Sequence, residues 1–144
     1  HQLHRRQRQM CIRDSTLTNQ SNGDFEGQNL ANTSFAGAVG RGANFRGANL
    51  HGAILTQGAF AEANFQGADL SDALMDRADF VGTDLRNAVL TGIIASGSSF
   101  SNAQIEGADF TDALLDRDDQ RRLCGEADGI NPSTGVATFD SLGC

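Results

Sequence analysis

Between Gly23 and Arg117 the chain places one large apolar side chain at every fifth residue: Phe25, Leu30, Phe35, Phe45, Leu50, Leu55, Phe60, Phe65, Leu70, Met75, Phe80, Leu85, Leu90, Phe100, Ile105, Phe110 and Leu115. Gly40 and Ala95 are the exceptions among nineteen such centres. A helix repeats its apolar positions at three and four residues and a half-buried strand at two, so a period of five is neither. The second feature is a small residue two positions before almost every centre, as in Ala43, Ala63, Ala78 or Ala108, with Gln28 and Ile93 the only larger ones. On an extended segment residues two apart face the same way, so the small residue and the centre both point inward and the residue between them points out. Two further residues then turn the chain. Ten of the second turn residues are Gly and others are Asn32, Asp72, Asn87, Asn102 and Asp112, types that accept tight corners or bond their own backbone. Corners of one hand produce a coil, and stacked coils pair their backbone groups at about 4.8 Å. The pattern predicts a solenoid.

Composition follows that repeat. The 144 residues include seventeen Gly, one Pro and nine Phe, eight of them on the five-residue beat, with no Trp, Tyr or Lys. Net charge is −7, divided between +3 over the first 22 residues (four Arg, one Asp) and −10 over the rest (seven Arg, seventeen acids). An acidic body argues against a nucleic-acid surface, which needs Lys and Arg. No run approaches the roughly 20 apolar residues of a membrane span. The basic start HQLHRRQRQMCIRDS has no apolar stretch of secretory-signal length and departs from everything after it; it reads as a tail, a targeting remnant or a non-native flank.

Segments such as GANFRGANL, EANFQGADL and EGADFTDALL resemble the pentapeptide-repeat family, whose motif is A(D/N)LxX. The resemblance implies an all-β solenoid, a right-handed quadrilateral β-helix with four pentapeptides per coil. Nineteen units would make just under five coils, a rod of roughly 23 Å at the spacing between strands. Four sides per coil would stack Phe25, Phe45, Phe65, Leu85 and Ile105 in one column and Leu30, Leu50, Leu70, Leu90 and Phe110 in a second. Phe35, Leu55, Met75, Ala95 and Leu115 would make a third, and Gly40, Phe60, Phe80 and Phe100 the fourth. Gly40 and Ala95 are expected to leave local slack.

Three regions follow: residues 1–22 outside the repeat, 23–115 the β-helix, and 116–144 a C-terminal helix and cap. Stacked coils expose unpaired backbone at their ends, so caps are required. DRDDQRRLC (Asp116 to Cys124) is rich in helix formers with acids early and Arg121 and Arg122 late, which predicts a short helix across the last coil. Leu115 and Leu123 would face inward and Gly125 would end the helix. The tail beyond it is turn-rich and bracketed by Cys124 and Cys144. Their pairing would close a loop of about twenty residues, worth about 3 kcal/mol in the chain-entropy model; two buried thiols are the alternative. Metal ligation lacks enough ligands, and Cys11 has no evident partner. The run LLDRDDQRRLCGEADGINPSTGVATFDSLGC resembles the C-terminal extension of thylakoid-lumen pentapeptide proteins of cyanobacteria and chloroplasts. That resemblance implies a Cys124–Cys144 disulfide and a lumenal location, with periplasm or cytoplasm as alternatives.

No residue set argues for catalysis. Asp69, Asp79, Asp84 and Asp109 stand before centres where Asn44, Asn49 and Asn64 serve equally, so a short polar side chain is wanted there rather than an acid or base. Asp112, Asp116, Asp118 and Asp119 suit a helix N-terminus better than a divalent ion. His51 occupies an outward slot, and the glycines of GAVGRG are corners apart from Gly40. The expectation is therefore a non-enzymatic scaffold with no cofactor or metal, an unidentified protein partner, no nucleic acid, no membrane insertion and a monomeric state. Candidate contact residues include Arg41, Arg46, Arg86, Glu62, Asp76 and Glu106. The alternative implied by the family is a DNA mimic acting on a DNA topoisomerase.

Overall fold

The computed structural model describes residues 15–144, so Cys11 and the rest of residues 1–14 lie outside the described residues. From Ser15 to Leu114 the backbone repeats a two-residue corner and a three-residue side. The unit around Phe45 shows how the hydrogen bonding works. The Ala48 N–H donates to the Phe45 carbonyl and closes the corner, while the N–H groups of Phe45 and Gly47 donate to Asn64 and Gln66 of the next coil. Asn44 N–H donates the other way, to Gly23 of the previous coil. Every wall thereby satisfies its neighbours, as buried backbone must.

Parallel bridges join residues twenty apart, from Asn19 with Val39 (39 − 19 = 20) to Ile94 with Leu114. With a corner every five residues, twenty per coil means four walls. Wall 1 carries the outward residues Asp24, Asn44, Asn64, Asp84 and Gln104; wall 2 carries Asn29, Asn49, Asp69, Val89 and Asp109. Wall 3 carries Ser34, Ile54, Leu74, Ile94 and Leu114; wall 4 carries Asn19, Val39, Ala59, Asp79 and Ser99.

Two expectations need correction. The all-β walls contain isolated bridges, and no continuous strand forms among the described residues. A corner every five residues leaves three to a side, and a single outward residue on each side bridges to the next coil. The winding also takes in residues 15–22, upstream of the boundary at Gly23: Leu17 N–H donates to Ala36 O and Gln20 N–H to Val39 O.

The bore is filled by the centres. Phe25, Phe45, Phe60, Phe65, Leu70, Phe80, Leu90, Phe100 and Phe110 are all buried. Phe25, Phe45 and Phe65 stack with centroids 4.9 and 5.0 Å apart, and Phe60, Phe80 and Phe100 with centroids 5.7 and 5.4 Å apart. Neighbouring columns meet edge to face, as Phe45 does with Phe60, and so do opposite ones, as Phe35 does with Phe45. These are the two arrangements aromatic rings prefer.

The irregular centres leave no slack, because their neighbours compensate. The Phe60 ring occupies the space a Cβ at Gly40 would need, and it overlaps the Cβ position at Gly58 as well. Ala95 is matched by Ile93, whose side chain is buried where a small residue normally stands. A large and a small residue have exchanged places, and close packing is kept. Thr33 and Thr83 bury hydroxyls by donating to the Leu30 and Phe80 carbonyls, and the Ser98 hydroxyl donates to Met75 O while accepting from Ala78 N–H.

Helix α1 spans Arg117–Glu126 and α2 spans Thr138–Ser141. Leu123 is buried against the last coil and Leu115 packs on the same core. Gly125 lies within the last turn of α1 and does not end it; Ala127 is the C-cap. The Asp116 carboxylate makes no N-cap bond, because its Oδ2 accepts from Gly97 N–H instead. Equivalent N–H groups in other coils donate to the carbonyl nineteen residues on, as Gly92 does to Thr111. Here the backbone carbonyl of Asp116 is engaged by Gln120 N–H of the helix, so the side chain takes over. A disulfide joins Cys124 of α1 to Cys144, with Cα atoms 5.7 Å apart and a sequence separation of 20.

Candidate interaction surface

The outward side chains obey a local rule on most of the rod. Asp24, Asn29, Asn44, Asn49, Asn64, Asp69, Asp79, Asp84 and Asp109 each use Oδ1 to accept the N–H two residues on, at 2.9–3.2 Å. The acceptor is an oxygen that Asn and Asp share, which explains their interchange and makes these carboxylates corner clips. Asp109 is buried and also accepts the Thr111 hydroxyl at 2.6 Å.

Wall 3 departs from this rule on four of its five rungs. Ile54, Leu74, Ile94 and Leu114 form one bridged ladder with no side-chain acceptor. Among the described residues, the N–H groups of Thr56 and Ser96, two positions after two of these rungs, find no protein acceptor, as those of Arg41, Ala61 and Thr91 do not after Val39, Ala59 and Val89. Exposure rises toward the cap: Ile54 and Leu74 are half-buried, Ile94 is 40% exposed and Leu114 55%. Val39, Ala59 and Ser99 on wall 4, Val89 on wall 2 and Gln104 on wall 1 also lack the clip, but none of these walls carries large aliphatic residues on more than one rung. The ladder went unread in the sequence because the five-residue beat directs attention inward. Its signal is aliphatic residues at a period of twenty in the slot before the centre.

The corners beside wall 3 carry Asp72 and Asp112 on one side and Asp76 and Asp116 on the other, against the basic groups Arg77, Arg117 and His51. Thr56 donates to Asp76 at 2.7 Å, and that bond, with a smaller contribution from Arg77 at 3.1 Å, holds the Asp76 carboxyl below its ordinary value. On wall 1, burial would raise Asp84, but the Arg86 guanidinium at 2.7 Å and its backbone N–H outweigh it and lower the carboxyl. Asp119 goes the other way: burial raises it despite Arg122 at 2.6 Å.

The structure does bring His51 beside a serine, with Nδ1 2.8 Å from Ser71 Oγ and 4.0 Å from Asp72 Oδ2. That hydroxyl donates to Asp69 Oδ1 at 2.7 Å, and one ring nitrogen faces both Ser71 and Asp72. A nucleophile–base pair needs the hydroxyl proton directed at the base and a third group on the other nitrogen. Arg41 and Glu62 pair with each other at 2.6 Å on exposed corners, while Arg46, Arg86 and Glu106 border open grooves of about 430 and 550 Å³. No group of three or more His, Cys, Asp or Glu suited to a metal occurs among the described residues. No helix among them is long and apolar enough to cross a membrane.

Four short walls, a corner at every fifth residue and one bulky centre per wall define a solenoid built from five-residue units. A model of pentapeptide repeats matches residues 24–57, 59–92 and 78–117 in eight copies, and the chain belongs to that family. It is similar to a solved pentapeptide-repeat protein of the Arabidopsis thaliana thylakoid lumen, at 39% identity and a TM-score of 0.89, with 91% of each chain covered. It shares the fold of QnrB1, a plasmid-mediated fluoroquinolone resistance protein, at 22% identity and a TM-score of 0.58, covering 73% of this chain and 65% of that one. It also shares the fold of a pentapeptide-repeat protein from Nostoc, at 20% identity and a TM-score of 0.55, covering 69% and 93%. A comparison with curated proteins finds no match.

Proposed function

We propose that this protein is a non-enzymatic scaffold of the thylakoid lumen that presents the outward rows of a rigid rod to a protein partner. The observation that carries the reading is the likeness to the Arabidopsis lumenal protein, which covers 91% of both chains. The disulfide between Cys124 and Cys144 supports an oxidising compartment. In this reading the rod is a monomer that winds right-handed, and residues 116–144 close its end. The DNA-mimic alternative receives from QnrB1 a shared fold alone, and Arg41, Arg46, Arg77 and Arg86 interrupt the acidic surface such a mimic needs.

Immobilised protein, incubated with lumenal extract, tests the proposal. The expected result is near-stoichiometric retention of a protein not held by an unrelated acidic protein of similar size. Failure to retain any protein above that control, or inhibition of gyrase supercoiling by the rod, overturns the scaffold reading.

A further inference from the structure

We propose that wall 3 is the docking surface, and that its occupant is a basic amphipathic helix of the partner laid along the rod axis. This rests on the scaffold reading and specifies the chemistry of the partner. On the other walls most outward residues are Asn or Asp that clip the following corner, with exceptions at Val39, Ala59, Val89, Ser99 and Gln104; on wall 3 four successive coils give up that bond and carry large aliphatic side chains in register. A departure from a local structural rule, repeated in one column, signals a surface kept for contact.

Geometry selects the occupant. Ile54 to Leu114 spans three inter-coil steps, about 14 Å. A helix covers that length in about ten residues, and its apolar positions at three and four residues rise about 4.5 to 6 Å, close to the rung spacing of about 4.8 Å. Same-face residues of an extended strand lie about 6.7 Å apart and fall out of step within two rungs. Charge selects the flanks. Asp72 and Asp112 make one edge net acidic, whereas on the other Asp76 and Asp116 stand beside Arg77 and Arg117, Asp76 paired with Arg77 and Asp116 accepting from Gly97 N–H. A helix with Lys or Arg beside its apolar stripe meets the carboxylates of Asp72 and Asp112 along that acidic edge. A second copy of this chain has no net basic edge on wall 3 to meet the acidic one. The wall, about 19 Å by 10 Å or roughly 200 Å², also falls well short of the ~800 Å² per partner of a stable dimer.

The test uses the whole protein and a synthetic helical peptide of about twelve residues, with leucines at i, i+3, i+7 and i+10 and lysines flanking them. A scrambled peptide of the same composition is the control, and binding is read by fluorescence anisotropy. Wild type is expected to bind the patterned peptide at least about tenfold more tightly than the scrambled one. Ile94→Asn/Leu114→Asn, which installs the residue other walls use, is expected to lose that preference while retaining its fold by circular dichroism. Asp72→Asn/Asp112→Asn is expected to weaken binding severalfold and flatten its salt dependence. Equal binding of the two peptides, or undiminished binding by the Ile94/Leu114 variant, overturns the assignment. So does a wild-type dimer in sedimentation that the same variant dissociates. A lumenal protein retained equally by wild type and that variant would leave the scaffold standing and remove wall 3 from its interface.

Discussion

Corner residues alternate down the rod in a way that neither the turn nor the core alone explains. Gly52 has φ +67° and a Cβ placed there would overlap Oδ1 of Asn32, the corner residue of the coil before it. Gly47 has φ +66°, yet its Cβ would meet nothing within 4 Å. Both positions require the left-handed region, which costs an ordinary residue about 1–2 kcal/mol. Gly47→Ala should therefore destabilise by about that amount in denaturant unfolding, and Gly52→Ala by more. Replacing Asn32 by Gly in the Gly52→Ala background should remove the excess; an equal cost at both sites would show that stacking plays no part. The pH dependence is also decided at single residues. Asp84 is lowered in the folded state, so its stabilisation is complete above its ordinary value of 3.8 and is lost as pH falls below that through the folded value. Asp84→Asn should melt below wild type near neutral pH, and the gap should close under acid; a gap constant to pH 2 contradicts the Arg86 pairing.

The cap works as a substitute coil. Gly107 N–H donates to Asp128 O, Phe110 N–H to Ser141 Oγ and Gly97 N–H to Asp116 Oδ2, three donors that would otherwise face an open end. Asn131, buried in its loop, sends Nδ2 to the carbonyls of Ala88 and Gly107 while Oδ1 accepts from Ser133 and Thr134. The disulfide ties this loop structure to α1. Cys124→Ser/Cys144→Ser should lower stability by about 3 kcal/mol, the loop-closure entropy of some twenty residues. The far-ultraviolet signature of the coils should be kept; a change under 1 kcal/mol would mean the cap is held by its hydrogen bonds alone. Here the limits of sequence reading are plain. The span of α1 and the inward Leu123 follow from local composition, whereas Asn131 and Ser141 bond coils 24 to 44 residues away without any period to announce them. The start of the winding was hidden for a related reason. Ser15 is buried and Gln20 half-buried at centre positions, and an end coil has one neighbour to fill against, so its centres can be polar without breaking the walls.

For the molecule as a whole, cohesion lies inside the bore and the proposed contact surface outside it. The interior was legible because each centre repeats at five and each column at twenty, and the aromatic stacks follow that arithmetic directly. The outward ladder on wall 3 obeys the same twenty-residue period but contributes nothing to the apolar beat, so the fold could be read without noticing it. The division of labour predicts how the two sets respond to substitution. Phe80, buried between Phe60 and Phe100, leaves a cavity when cut to Ala, at a cost of about 3–5 kcal/mol. Ile94→Asn/Leu114→Asn trades aliphatic contacts for two corner bonds and should shift stability by no more than about 1 kcal/mol. Equilibrium unfolding of these two variants beside wild type is the most direct measurement. A large loss for Phe80→Ala with the wall 3 variant near wild type is the predicted result; a comparable loss for both would place Ile94 and Leu114 among the groups that hold the rod together and contradict their reading as a surface kept for a partner.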